Sequence, residues 1–246
     1  GLTFPGVFAL IARAHMERHG TTEEQMASVA VKNHRHGALN PKAQFQKEIA
    51  LETVLRSAYV ADPLKLYDCC PFTDGGAAIV VVSEEVARRS RRPVWVLATE
   101  AASDSMFIHE KRDLSRVQAT EQAALQAYRR AGKTAAEVDV AELHDCFTIA
   151  EIVATEGLGF FESGTGGVAA EKGWTSLGGK IPVNPSGGLK AKGHPIGATG
   201  AAQIGEIVTQ LRGEAGARQV DGARTGLVHT LGGNTATVLV SLFGRD

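Results

Sequence analysis

The chain has 246 residues, 43% hydrophobic and 22% charged, which is the balance of an ordinary globular fold with ample core. A formal net charge of -1 leaves no electrostatic footprint for nucleic acid, and no stretch approaches the roughly 18 apolar residues a membrane span needs. Three cysteines, two of them adjacent at Cys69 and Cys70, make neither a disulfide framework nor a Cys-x-x-Cys pair. The reading is therefore a reducing, cytoplasmic setting without a structural metal, and the opening Gly1–Pro5 shows no basic region or cleavage signal.

Helical spacing covers residues 5–19, with Gly20 as its stop. A second helix starts at Thr21-Thr-Glu-Glu with a capping-box pattern and runs to about His34. His15 and His19 lie four apart on one helix face; without a third ligand they read as an exposed polar face rather than a metal pair. Residues 37–63 are polar and irregular, with one short helix near Leu51–Ser57, closed by Asp62-Pro63. Ile79–Val82 reads as a buried strand, and Val94–Leu97 starts another after a basic break. Helices follow over 116–131 and 146–157, with a strand at Val138–Leu143 running into His144-Asp-Cys-Phe147. A last helix covers 198–212, and strands at 226–230 and 237–243 close the pattern of an α/β layered fold. Asp74–Ser83 and Leu231–Ser241 share a glycine pair leading into an apolar strand and a serine, the trace that two similar α/β halves leave.

The densest chemical signal is Asn184-Pro-Ser-Gly-Gly-Leu-Lys-Ala-Lys-Gly-His-Pro-Ile-Gly-Ala-Thr-Gly200. Glycines permit a close backbone approach and Pro195 sets the turn, so His194 is held on a tight loop at the mouth of a helix whose amides favour negative charge. Lys190 and Lys192 beside it are either solvated surface lysines or contacts for an anionic ligand.

Gly-His-Pro-x-Gly-x-Thr-Gly resembles the histidine loop of the thiolase superfamily, and His144-Asp-Cys-Phe147 resembles the second signature loop of its sterol-carrier-protein type, where most thiolases have Asn-Glu-Ala-Phe. Lys32–Phe45, Ala61-Asp-Pro-Leu64 and Asp68–Ala78 are similar to the same subgroup, so the likeness runs from end to end. It implies a mixed-sheet α-β-α-β-α fold whose N-terminal half is incomplete: 1–73 a loop and cap region, 74–92 the last strand of the N-terminal domain, and 93–246 the C-terminal domain.

The resemblance also implies roles. His194 activates the nucleophilic thiol and serves the oxyanion site, His144 supports that site, Cys146 is the acid/base thiol, and Gly232 offers an amide to a second oxyanion site. Cys146 stands in because the late Cys-x-Gly-Gly loop of most thiolases is Thr230-Leu-Gly-Gly233 here. Phe147, Cys70, Ser186 and Gly187 are expected along the pantetheine and thioester channel. A helix N-terminus and a nearby imidazole are expected to lower the Cys146 pKa, with activity responding between roughly pH 6 and 8.5. CoA enters as substrate, with no metal or organic cofactor.

Neither Cys69 nor Cys70 matches the family's nucleophile elbow, so the chain alone is expected to be inactive, its nucleophile lying on a longer chain or a partner subunit. A dimer or tetramer is the implied assembly. Thiolysis or Claisen condensation of 3-ketoacyl-CoA and acetyl-CoA leads; the alternatives are a retro-aldolase of a sterol side-chain CoA thioester and a non-catalytic acyl-CoA-binding subunit.

Overall fold

The computed structural model describes residues 2–245. Helix α1 (Phe4–His19) opens where the Thr3 hydroxyl accepts the Gly6 N–H, with Pro5 in the first turn, where its missing N–H costs nothing. In α2 (Glu23–Ala38) the Thr22 and Gln25 side chains cap each other's backbones. That helix runs four residues beyond the expected end at His34, and its last turn brings Gly37 so close to Ala191 that a side chain there would have no room.

A short α3 (Leu51–Leu55) precedes a small antiparallel pair, β1 (Tyr59–Ala61) and β2 (Leu64–Lys65), in a stretch whose polar composition hides any strand pattern. Next comes α4 (Glu84–Ala87), then β3 (Trp95–Ser103), α5 (Gln118–Ala131), β4 (Val140–Glu142), α6 (Thr148–Gly157), α7 (Gly166–Glu171), α8 (Gly188–Ala191), α9 (Thr199–Arg212), β5 (Thr225–Gly232) and β6 (Thr237–Gly244).

Strands β3, β6, β5 and β4 lie side by side in that order, antiparallel except for the parallel pair β4–β5. A single parallel bridge, Ala141 to Val183, extends the edge beyond β4. Alternation sets the two faces. Leu227, Leu231, Val238, Val240 and Leu242 join the core shared with α1, α5 and α6, whereas Val140, Val228 and Phe243 pack with Ile207 and Leu211 of α9. Helices thus cover both faces of a mixed sheet, the layered α/β class expected. Helix α6 is buried along most of its length, which marks it as an internal helix rather than a surface one.

Two expectations fail. Ile79–Val82 is not a buried strand: it belongs to no helix or strand, and Val80 is 85% and Val81 79% exposed. No strand among the described residues offers it a ladder, and an apolar run without one has nothing to pack on. The repeat seen in sequence is therefore realised in the β5–β6 hairpin alone. His15, read as exposed, is fully buried between Thr21 (Nδ1 to Oγ1, 2.7 Å) and Glu156 (Nε2 to Oε2, 3.1 Å). It ties α1 to the end of α6, and no metal-holding group forms among the described residues.

Candidate active site

Strand β4 and the Val183 bridge run parallel, so the chain leaves both at the same edge of the sheet, and their following loops meet there. The first loop is His144–Phe147; the second is Asn184–His194. A buried polar framework locks them together. Asn184 accepts the Leu143 N–H on Oδ1 at 2.7 Å and donates Nδ2 to Glu151 of α6 at 2.8 Å. Glu151 pairs with Lys32 and accepts Asn33 of α2 at 2.9 Å. The Asp145 carboxylate accepts the Leu189 N–H (2.7 Å), the Lys190 N–H (3.3 Å) and Asn33 Nδ2 (2.8 Å), so the residue just before Cys146 caps α8. Gly187 makes the close approach possible. Its φ is 100°, and a Cβ there would lie 2.7 Å from the Gly37 Cα.

The result places His144 and His194 edge to face, ring centres 5.0 Å apart. Thr199 donates its one hydroxyl proton to the Pro195 carbonyl at 3.0 Å, so at 2.7 Å it accepts Nδ1–H from His194. That fixes the tautomer and leaves a lone pair on His194 Nε2, the form of a general base. Burial lowers the His194 pKa, helped by the Lys192 charge. His144 is pushed down to about 3 by burial and then by His194, His229 and Lys192, and its Nδ1 has no partner among the described residues. Both rings are neutral at physiological pH.

Cys146 behaves differently from expectation. It stands two residues ahead of α6, and burial drives its thiol well above the ordinary value; Cys70 and Asp145 add to the rise, while the Lys190 charge and the Phe147 N–H oppose it. The expected lowering is therefore overturned: a helix terminus acts weakly on a fully desolvated thiol. A protonated Cys146 is a proton donor in waiting. Facing it, Cys70 donates its N–H to the Cys146 carbonyl at 2.9 Å beside the Cys69–Phe147 bridge, and burial lifts the Cys70 thiol to about 12.

The remaining expected residues occupy other surroundings. Phe147 is buried and stacks on Phe8 at 4.6 Å. Ser186 is fully buried, giving its hydroxyl to Glu142 at 2.7 Å. Gly232 ends β5 opposite Thr237 at the exposed turn into β6, and no hydrogen bond among the described residues joins it to His144, Cys146 or His194. Lys190 and Lys192 are not surface lysines, since both Nζ atoms are buried with no hydrogen bond among the described residues.

Sequence reasoning passed over Glu142, Asp145, Glu151, Asn184 and His229. For Glu142, Glu151 and His229 the signal was available: a single charged or polar residue inside an otherwise apolar strand or helix must be paired to be buried, whereas Asp145 and Asn184 stand in loops, where a polar residue is ordinary. His229 of β5 is fully buried, bonds Thr120 through Nε2 at 3.0 Å, and is pushed down to about 4 by burial.

Comparison with known proteins agrees with this frame. Residues 100–245 match the family described as thiolase C-terminal domain-like, and residues 5–85 match the thiolase N-terminal domain. The chain belongs to the thiolase family. It is 50% identical to an acetyl-CoA acetyltransferase of Methanothermobacter thermautotrophicus, covering 100% of this chain and 64% of that protein. It is 41% identical to sterol carrier protein 2 of Oryctolagus cuniculus, over 98% of this chain and 45% of that one. Among solved structures, the Ltp2-ChsH2(DUF35) aldolase superposes with a TM-score of 0.89 at 28% identity, covering 100% of this chain and 65% of that one. The chain thus spans less than two thirds of the length of these relatives.

Proposed function

We propose that this chain supplies the acid/base and oxyanion groups of a thiolase-type acyltransferase acting on 3-ketoacyl-CoA and acetyl-CoA. The observation that supports it most is the meeting of the two loops: a tautomer-fixed His194 edge to face with His144, with Cys146 in the same loop. His194 Nε2 takes the proton of the nucleophilic thiol and, once protonated, donates to the thioester oxygen as it becomes anionic. His144 supports that oxygen, and the Gly232 amide serves a second one. Cys146 gives a proton to, and takes it from, the carbon next to the thioester; a thiol held protonated suits the giving step. Cys70, Phe147, Ser186 and Gly187 shape the wall behind the substrate.

None of the three cysteines stands in a nucleophile elbow, so these 246 residues assayed alone do not turn over; a longer chain or a partner carries the thiol. A dimer or tetramer, or a complex with a smaller subunit, is the working assembly.

In the complete enzyme, thiolysis of acetoacetyl-CoA is expected to fall roughly 10²–10⁴-fold in Cys146→Ala and in His194→Ala. Full activity in Cys146→Ala would remove the acid/base assignment and leave a binding role. A second reading, carbon–carbon cleavage of a CoA thioester by retro-aldol chemistry, is favoured by the aldolase among the structural relatives. Turnover that consumes no free CoA would select it.

A further inference from the structure

Between α7 and the Val183 bridge, the loop 172–180 encloses a concavity of about 540 Å³, within the range of small-ligand clefts. Two lysines share one indole there: the Lys180 ammonium lies 3.4 Å and the Lys172 ammonium 5.1 Å from the centre of the Trp174 ring. The ring face attracts each cation but leaves their mutual repulsion in place. Neither ammonium has a hydrogen bond or ion pair, and no carboxylate lines the concavity, among the described residues. Glu171, the preceding residue, accepts Gln25 Nε2 of α2 at 3.3 Å. The Gly178 and Lys180 N–H groups are likewise without an acceptor among the described residues. The charged lining is therefore all positive, with two backbone donors open beside it. The loop is also preformed. Its Trp174 and Thr175 carbonyls accept the Ile181 and Val183 N–H groups, each at 3.0 Å, and a Cβ on Gly179 would lie 2.6 Å from the Trp174 carbonyl oxygen. Leu177 donates its N–H to His36 Nε2 at 3.2 Å, and His36 donates Nδ1–H to the Asn184 carbonyl at 3.0 Å. A site braced in this way loses little interaction energy to ordering when a ligand arrives.

We propose that this concavity binds a pyrophosphate group, free or carried by a nucleotide, held between the Lys172 and Lys180 ammoniums with the Gly178 and Lys180 N–H groups as further donors. Two cations match the multiple charge of a pyrophosphate better than the single charge of a carboxylate. Backbone N–H groups left open in a glycine turn are suited to the same oxygens. The volume leaves room for a nucleoside beyond the phosphates. Binding is non-covalent, and the site shares no residue with the acyl-transfer groups, so it stands apart from that reading.

The test is lysine footprinting of the full-length protein: acetylation by an N-hydroxysuccinimide ester, read peptide by peptide by mass spectrometry, with ADP, pyrophosphate or adenosine present. Lys172 and Lys180 are both exposed and so react in the free protein, as does the exposed Lys47, which serves as the control. ADP and pyrophosphate are expected to slow both site lysines roughly tenfold at about ten times Kd and to leave Lys47 unchanged. Stronger protection by ADP assigns the site to a nucleotide; equal protection assigns it to free pyrophosphate. In Lys172→Gln, an exposed change that leaves the fold intact, the ADP concentration that half-protects Lys180 should rise about five- to tenfold. Undiminished acetylation of the two lysines, equal slowing at Lys47, adenosine protecting as well as ADP, or an unchanged half-protection in Lys172→Gln would each overturn the proposal.

Discussion

His229 offers the sharpest test of the buried core beneath the site. It is fully buried, its Nδ1 has no partner among the described residues, and burial brings it from 6.5 to about 4. The folded state therefore holds fewer protons than the unfolded one between those two values. Its contribution is fully present above pH 6.5 and is lost as pH falls through that window toward 4. With 1.36 kcal/mol per pKa unit as the scale, the loss at pH 4.5 is about 2 to 3 kcal/mol. His229→Leu removes the titration and the unpartnered nitrogen, leaving only the Thr120 hydroxyl to find a new acceptor. Urea denaturation at pH 7.5 and 4.5 is the assay. For a slope on the order of 2 to 3 kcal/mol per molar, the native midpoint should drop about 1 M more than that of the variant. His144, which feels the His229 charge, moves in the same direction and enlarges the difference. Identical midpoint shifts in the two proteins would refute the reasoning, because His229 would then titrate alike folded and unfolded.

Other outcomes follow from the loop framework. Gly187→Ala forces a side chain into a φ of 100° and against the Gly37 backbone, and should cost roughly 3 kcal/mol in the denaturation midpoint, with the His144–His194 pair disordered in NMR spectra. Asp145→Ala leaves the Leu189 and Lys190 N–H groups without an acceptor, while Asn33 keeps its bond to Glu151; at about 1 to 3 kcal/mol for each buried donor, offset by relief of a carboxyl that burial and Glu151 hold at about 6, the net loss should be roughly 2 to 3 kcal/mol. Glu142 is raised to about 8 by burial, so its contribution is full below its ordinary value of 4.5 and is lost as pH rises through 8. Thermal scans should accordingly show Glu142→Gln gaining on the native protein above pH 8 relative to pH 5.

Much of this was legible in the residues themselves. The capping box at Thr22, the Gly20 stop and helical spacing of α1, and the apolar runs of β5 and β6 are local signals, decided by neighbours a few positions away. The Gly-His-Pro loop and His144-Asp-Cys-Phe147 were likewise readable, because their unusual residues stand together in the chain. What the sequence could not decide depended on long-range partners. Ile79–Val82 has strand chemistry, yet a strand exists only where another offers it hydrogen bonds. Cys146 stands near a helix start, which by itself favours a thiolate, but burial, with Cys70 and Asp145 beside it, raises its pKa instead. Lys190 read as either a solvated lysine or an anion contact and is buried instead. Sequence determines which groups stand on each loop; tertiary packing decides how much water and which charges surround them, and for an ionisable group that surrounding sets the chemistry.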